Sequence, residues 1–306
     1  MSGSLVVVVL PLLALLVLGV ATIVLAVGLA RRPAPAPSQA AEVARRHGRN
    51  VHVAAWLAAL LVPQVVASAA PVAFHAAPGS YPLLGGVLVG LAPAVAGSAF
   101  LTAHLVGERT WPRPTGTVRR AALGHRRVVD VVPRPLLRVT AAWTVGLVLV
   151  LVAAGLTAAD DGRSVVRTVG SSTWGASPYP GWFYGVPLLV ATAVVVVLTA
   201  ITLRVVTQRP AVVDADPTYD AASRRLSGHR VLRGTQLVLA LTLAGVLFFA
   251  GNALRGVELV GLGAGTAIAG VLVALTGAAL ALVPAAPPVA TTPAWQAAPG
   301  PARVGP

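Results

Sequence analysis

Apolar residues gather along this chain into seven long stretches, 5–30, 51–74, 83–106, 136–159, 182–206, 232–254 and 257–283, with most polar residues at their ends or in the connections between them. Each run meets the roughly 20 apolar residues that an α-helix needs to cross a bilayer. None shows the alternation of a barrel strand. Hydrocarbon offers no water to backbone N–H and C=O groups, so runs of this length are expected to close their hydrogen bonds internally, as helices. The pattern predicts an all-α membrane protein, a seven-transmembrane helix bundle.

The polar positions orient that bundle. Odd connections and the tail carry Arg31, Arg32, Arg45, Arg46 and Arg49, then Arg109, Arg113, Arg119, Arg120, Arg126, Arg127, Arg134 and Arg138, then Arg204, Arg209, Arg224, Arg225, Arg230 and Arg233, and finally Arg303. Even connections carry Arg163, Arg167 and Arg255. Because basic loops are retained on the cytoplasmic side, twenty arginines against three put the N-terminus outside and the C-terminus in the cytoplasm. An even number of spans would break the alternation.

Four regions follow. Residues 1–30 read as an N-terminal transmembrane anchor rather than a cleaved signal, since no basic stretch precedes the apolar run and Arg31 and Arg32 follow it at once. Residues 31–50 form a basic, Pro/Ala-rich cytoplasmic linker, 51–283 a six-helix bundle of three helical hairpins, and 284–306 a disordered Pro-rich cytoplasmic tail. No connection approaches the roughly 50 residues of a small folded domain, which excludes a fused soluble module. Basic Gly/His stretches at 45–49, 119–126 and 224–230 form a faint echo ahead of three spans. Parallel repeats or the charge rule alone would each produce it.

Composition removes several functions. The chain is 56% hydrophobic and 10% charged, where soluble domains average roughly 45–50% and 25%, and its mean hydropathy is +0.82. The formal charge of +14 is scattered through short connections instead of forming one basic face. Anionic lipid headgroups are therefore the expected partners of the cytoplasmic loops, and nucleic acid is not. With no cysteine in the chain, disulfides, thiolate catalysis and Cys-ligated metal drop out. Acids fall in connections or at span ends, whereas proton relays place them in mid-membrane, which argues against a proton-coupled carrier. GxSxG, HExxH and Lys-bearing phosphate loops are absent, so neither an enzyme nor a cofactor is expected.

A few residues stand out. Gln64 beside Pro63 is a substrate contact in one reading and an interhelical hydrogen bond in the other. Pro63, Pro93 and Pro187 remove helix donors and could open a cavity. His52 and His104 come to similar depth if their spans form a hairpin, and two facing imidazoles could ligate haem or a metal, against the plainer reading of interfacial histidines. His75 stands alone on the outer side. Gly86 with Gly90, and Gly261 with Gly265, form GxxxG pairs suited to close helix packing or to a homodimer face. The longest outer connection, 160–181, leads into an aromatic run carrying Trp174, Tyr179, Trp182 and Tyr184, in a chain only 5% aromatic. An interfacial aromatic belt explains such a run, and so does a rigid loop that meets a ligand or partner.

The Arg-only basic set, the Ala/Val/Leu/Gly bias, the seven spans and the outer run Tyr179-Pro180-Gly181-Trp182-Phe183-Tyr184-Gly185-Val186-Pro187 together resemble multi-pass integral membrane proteins of high-GC actinobacteria that carry no assigned activity. The resemblance implies a multi-pass location in the cell membrane and nothing catalytic. A retinal protein would need a lysine in the last span, and this chain has none. The expected role is a non-enzymatic membrane scaffold or accessory subunit whose outer aromatic loop meets a membrane-protein partner or ligand. A transporter or permease component for a neutral or lipid-like substrate is the first alternative, and a haem-binding redox protein the second.

Overall fold

A computed structural model describes residues 38–74, 81–112, 127–211 and 217–285 together with Gly19, Thr22 and Ile23, with the backbone only at 67–74, 81–85 and 217. The elements, in chain order, are α1 (Gln39–Phe74), α2 (Tyr81–Arg109), the single turn α3 (Val128–Val131), α4 (Arg134–Thr157), strands β1 (Val165–Val169) and β2 (Ser172–Ala176), α5 (Trp182–Gln208), α6 (Pro217–Gly256) and α7 (Val260–Leu282). Among the described residues six helices, α1, α2 and α4 to α7, are long and apolar enough to cross a membrane. The run 5–30 lies outside the described residues, apart from the helical Gly19, Thr22 and Ile23. His75 and the tail beyond 285 lie outside them too.

Two helices are much longer than their apolar runs. α1 has 36 residues and α6 has 40. At 1.5 Å per residue α6 is roughly 60 Å long, about twice the hydrocarbon thickness of a bilayer. The arginines expected in a linker and a loop, Arg45, Arg46 and Arg49 on α1 and Arg224, Arg225, Arg230 and Arg233 on α6, therefore stand on continuous helix. The basic linker read over 31–50 thus gives way to helix at Gln39. The continuation follows because a helix already nucleated in an apolar span extends at little cost into a helix-tolerant stretch rich in Ala and Arg.

α6 is the central pillar, packed against α2, α4, α5 and α7. Phe100 and Leu101 of α2, Leu147 and Leu151 of α4, Val195 of α5 and Leu232 and Leu239 of α6 fill the core between them. The outer faces are equally apolar: Leu149 is 63% and Leu156 74% exposed. A surface of contiguous leucines and valines on this scale suits acyl chains rather than water.

Glycine lets α6 and α7 approach to backbone contact, but not through the GxxxG pair. A Cβ at Gly263 would lie 2.5 Å from the Gly251 carbonyl oxygen, one at Gly270 2.8 Å from that of Ala244, and one at Gly277 2.5 Å from the Ala240 Cβ. These three glycines recur every seventh residue, the repeat of a helix seam. Gly261 and Gly265 point away, with nothing within 4 Å. The other pair does face a neighbour, since a Cβ at Gly86 would meet the Tyr184 ring at 3.2 Å and one at Gly90 the Leu188 side chain at 3.7 Å.

Polar groups inside the bundle are tied across helices. The fully buried Gln236 donates to the Gly277 carbonyl at 3.0 Å and accepts from Trp143 Nε1 at 3.3 Å. Thr199 and Thr235 share a hydrogen bond of 2.9 Å. Two of the echoing basic stretches also serve packing: the Gly48 carbonyl accepts from Arg230 at 2.9 Å, and Gly228 rests against Val132. The third, 119–126, lies outside the described residues.

The seam predicts unequal responses to one substitution. Gly263→Leu should sharply lower the melting temperature of the purified protein and Gly261→Leu should leave it within a degree or two, as measured by dye-monitored unfolding in detergent.

Candidate functional site

Buried charge dominates the arginine-rich end. Arg224 on α6 has a side chain 2% exposed and reaches the unfinished C-terminus of α5, donating to the carbonyls of Val206 at 2.9 Å, Thr207 at 3.1 Å and Arg209 at 2.8 Å. Its Nε donates to Asp220 at 2.9 Å, one turn away. The last carbonyls of a helix have no intrahelical partner and carry the negative end of its dipole, so a guanidinium is the side chain best shaped to satisfy several at once. Beside it Arg209 donates to Glu108 at 2.8 Å, Ser223 at 2.9 Å and Ser227 at 3.3 Å, and its guanidinium carbon lies 3.5 Å from the centre of the Trp111 ring. Burial lowers the Arg209 pKa from its ordinary value, and the adjacent Glu108 carboxylate opposes the shift. Glu108, which the sequence places at a span end, and Asp220, which it places in a connection, are paired with these cations. This region is a structural lock on α2, α5 and α6.

Next to the lock, His52 of α1 and His104 of α2 face each other with ring centroids 5.6 Å apart, both buried. The hairpin thus brings them together as their depth suggested. Phe100 packs on His104 at 4.7 Å and Trp56 lies 6.3 Å from His52, while Arg233 stands 3.3 Å from His52 Nε2. One turn below, His47 Nε2 donates to the Gly107 carbonyl at 2.8 Å and Val51 fills the space where a Gly107 side chain would be. α1 and α2 meet too closely there to admit a porphyrin between the imidazoles, and a guanidinium against a ring nitrogen is a poor neighbour for a cation.

Gln64 is exposed on the outer face of α1 and makes no hydrogen bond among the described residues. The interhelical amide bond belongs to Gln236 instead. Near Pro93 there is a cavity, a lateral groove of about 1040 Å³ between α1, α2 and α5, but it is mainly apolar and neither Gln64 nor Pro93 lines it.

At the opposite end the connection between α4 and α5 is not a plain loop. β1 and β2 form an antiparallel hairpin in which Val166 faces Gly175, Arg167 faces Trp174 and Thr168 faces Thr173. Its inner face, carrying Val165, Arg167 and Trp174, lies on the α6–α7 turn, where Arg167 donates to the Glu258 carbonyl at 3.0 Å and Val165, Tyr179, Ala253 and Val257 form a small core. Tyr179 is 5% exposed and shares a 2.6 Å hydrogen bond with Thr157 of α4. At the hairpin base the Asp161 carboxylate accepts from the backbone N–H of Arg163 at 3.0 Å and of Ser164 at 2.9 Å, and from the Ser164 hydroxyl at 2.8 Å. Those bonds, the Arg163 N–H foremost, hold its pKa at about 2. The outer face presents Val166, half exposed, with Thr168 hydrogen-bonded to Thr173 at 3.1 Å.

The four aromatic candidates separate accordingly. Trp174 and Tyr179 anchor the hairpin from beneath. Trp182 packs on α4 at Gly155 and remains 40% exposed, and the half-buried Tyr184 packs on α2 at Gly86. None of the four lies on the free outer face. That surface belongs to Val166, Thr168 and Thr173, which the sequence reading passed over although Val165–Val169, Gly170-Ser171 and Ser172–Ala176 have the form of two β-rich runs joined by a two-residue turn with Gly first. Gly170 takes φ +61°, as such a turn requires.

Two measurements test this geometry. Arg224→Lys keeps the charge but cannot match four acceptors from one point, so it should destabilise the protein by about 3 kcal/mol or more, as breaking a buried pair does, read by thermal unfolding in detergent. Asp161 has a depressed pKa, so its stabilisation of the hairpin base is present above the ordinary 3.8 and lost as pH falls toward about 2. Protection of the Arg163 and Ser164 amides against hydrogen exchange should fall across that window and be pH-independent in Asp161→Asn. No protein-family model matches this chain, and no curated protein or solved structure matches it either.

Proposed function

We propose that the protein is a non-enzymatic scaffold or accessory subunit of the cell membrane, crossing it seven times with the N-terminus outside and the C-terminus in the cytoplasm, and that its outer hairpin docks the extracytoplasmic segment of a membrane-protein partner. One observation carries this reading: a hairpin too short to be stable alone is fixed to the bundle by Arg167, Tyr179 and Asp161, while neither strand edge carries a further strand among the described residues. Pre-ordered strand edges bind an extended segment by adding a strand, with little left to order on association. The arginine asymmetry, with the hairpin at the arginine-poor end, supports the outward orientation. The apolar character of the lateral groove favours lipid-like over neutral polar cargo for the carrier alternative.

The partner is tested at the free face rather than at the packed aromatics. Val166→Asp combined with Thr173→Asp should release a partner that co-purifies in mild detergent, with the melting temperature unchanged. Retention of every co-purifying protein by the folded double variant removes the docking reading.

A further inference from the structure

The lateral groove has a shape and a charge that together name an occupant. It follows α1 from His47 and Asn50 to Val62 and is floored by small side chains, Ala54 and Ala58 on α1 and Ala94 and Ala99 on α2. From Asn50 to Val62 the helix rises roughly 18 Å, close to the 15 Å or so of one leaflet's hydrocarbon. Its volume, about 1040 Å³, stands at the upper end of the range for small-molecule sites, roughly 300–1,000 Å³. The trough therefore matches an acyl chain lying parallel to the helices, within one leaflet.

Apart from the hydroxyls of Ser98 and Thr102 along α2, the polar lining lies at one end of the trough. There Asn50 and Thr110 line it, and both are exposed. Arg109, the last residue of α2, falls on the same side of that helix as the groove-lining Thr102 and Val106, at the 3.6-residue period. Its neighbour Glu108 is turned inward onto Arg209, so Arg109 is exposed with no ion-pair partner among the described residues. Arg46, one turn before Asn50, adds a second exposed cation, held by Glu42 at 2.7 Å. A cation with no counter-ion among the described residues, beside the polar end of an apolar trough one leaflet deep, complements a phosphodiester attached to acyl chains.

We infer that the groove between α1, α2 and α5 is a binding site for an anionic glycerophospholipid, one acyl chain lying along Ala54, Ala58, Ala94 and Ala99 and the phosphate meeting Arg109 and Asn50. The site is separate from the hairpin and does not rest on a protein partner there.

Native mass spectrometry of the full chain in neutral detergent, with phosphatidylglycerol and phosphatidylcholine of identical acyl chains in competition, reads it directly. The wild type should retain phosphatidylglycerol preferentially. Arg109→Gln, an exposed change that leaves the fold alone, and Ala58→Phe, which fills the trough, should each weaken retention roughly tenfold, and Ala58→Ser should not. Equal retention of the two lipids overturns the inference. So does loss in Arg109→Gln with full retention in Ala58→Phe, which marks headgroup adsorption at a basic surface. The chain has no native cysteine, so Ala58→Cys can be paired with single cysteines placed along 5–30. Efficient disulfide formation would show the chain's own apolar segment in the trough and overturn it as well.

Discussion

The fold depends on keeping guanidinium groups out of water without leaving them unsatisfied. An arginine buried beside a bilayer loses several kcal/mol of hydration, and its burial is tolerable only when most of its N–H groups find acceptors. Arg224 meets that condition by ending another helix: the three carbonyls it binds at the C-terminus of α5 are themselves orphaned there, so two sets of unsatisfied groups cancel each other. Arg209 repeats the arrangement in part: its terminal nitrogens reach Glu108, Ser223 and Ser227 and its plane lies on the Trp111 ring, while its Nε has no acceptor among the described residues. Because these ties reach α2, α5 and α6 at once, the helices are fixed relative to one another at a level where apolar packing alone would discriminate poorly. Lipid tails are as apolar as leucine, so within the bilayer burial does not choose between helix faces.

Where charge ends, contact distance takes over. The glycines at 263, 270 and 277 let α7 lie against α6 backbone to backbone, and Gln236 places a hydrogen bond inside the same interface, to the Gly277 carbonyl. Removing the side chain at 277 and supplying an amide at 236 are complementary steps: the carbonyl becomes reachable only because no Cβ stands over it. Dispersion at close approach and one satisfied polar bond replace the hydrophobic drive that a soluble bundle would use.

Hydropathy made the six described apolar helices legible because lipid imposes length and polarity on any span. It did not reveal where those helices end. Outside the hydrocarbon the constraint disappears, and Arg224 or Arg45 reads the same on a helix as in a loop. Which glycine faces a neighbour was also hidden, since Gly261 and Gly263 differ by one position and only the neighbour's placement separates them. The meeting of His52 and His104 could be anticipated from depth in a hairpin. A proline beside Gln64 drew attention to that residue, whereas the interhelical amide bond is made by Gln236 because α6 is the most enclosed of the described spans, which is a tertiary fact. The hairpin had a local signature in Val165–Val169, Gly170-Ser171 and Ser172–Ala176, overshadowed by the aromatic cluster that follows it.

The same helix that carries the lock also carries the hairpin's seat. α6 runs unbroken from Asp220 and Arg224 at one end to the turn at Val257 and Glu258, whose carbonyls Arg167 holds at the other. A two-stranded hairpin has too little buried surface to keep its own orientation, so its direction is inherited from that turn, and the turn's position is inherited from the close α6–α7 seam. Any outward-facing surface on β1 and β2 is thus presented at an angle set about 50 Å of helix away from the charges that fix α6 in place. The charge at the arginine-rich end is sorted to suit: among the described residues Arg224 and Arg209 face inward onto carbonyls, carboxylates and a ring, whereas Arg109 stays exposed.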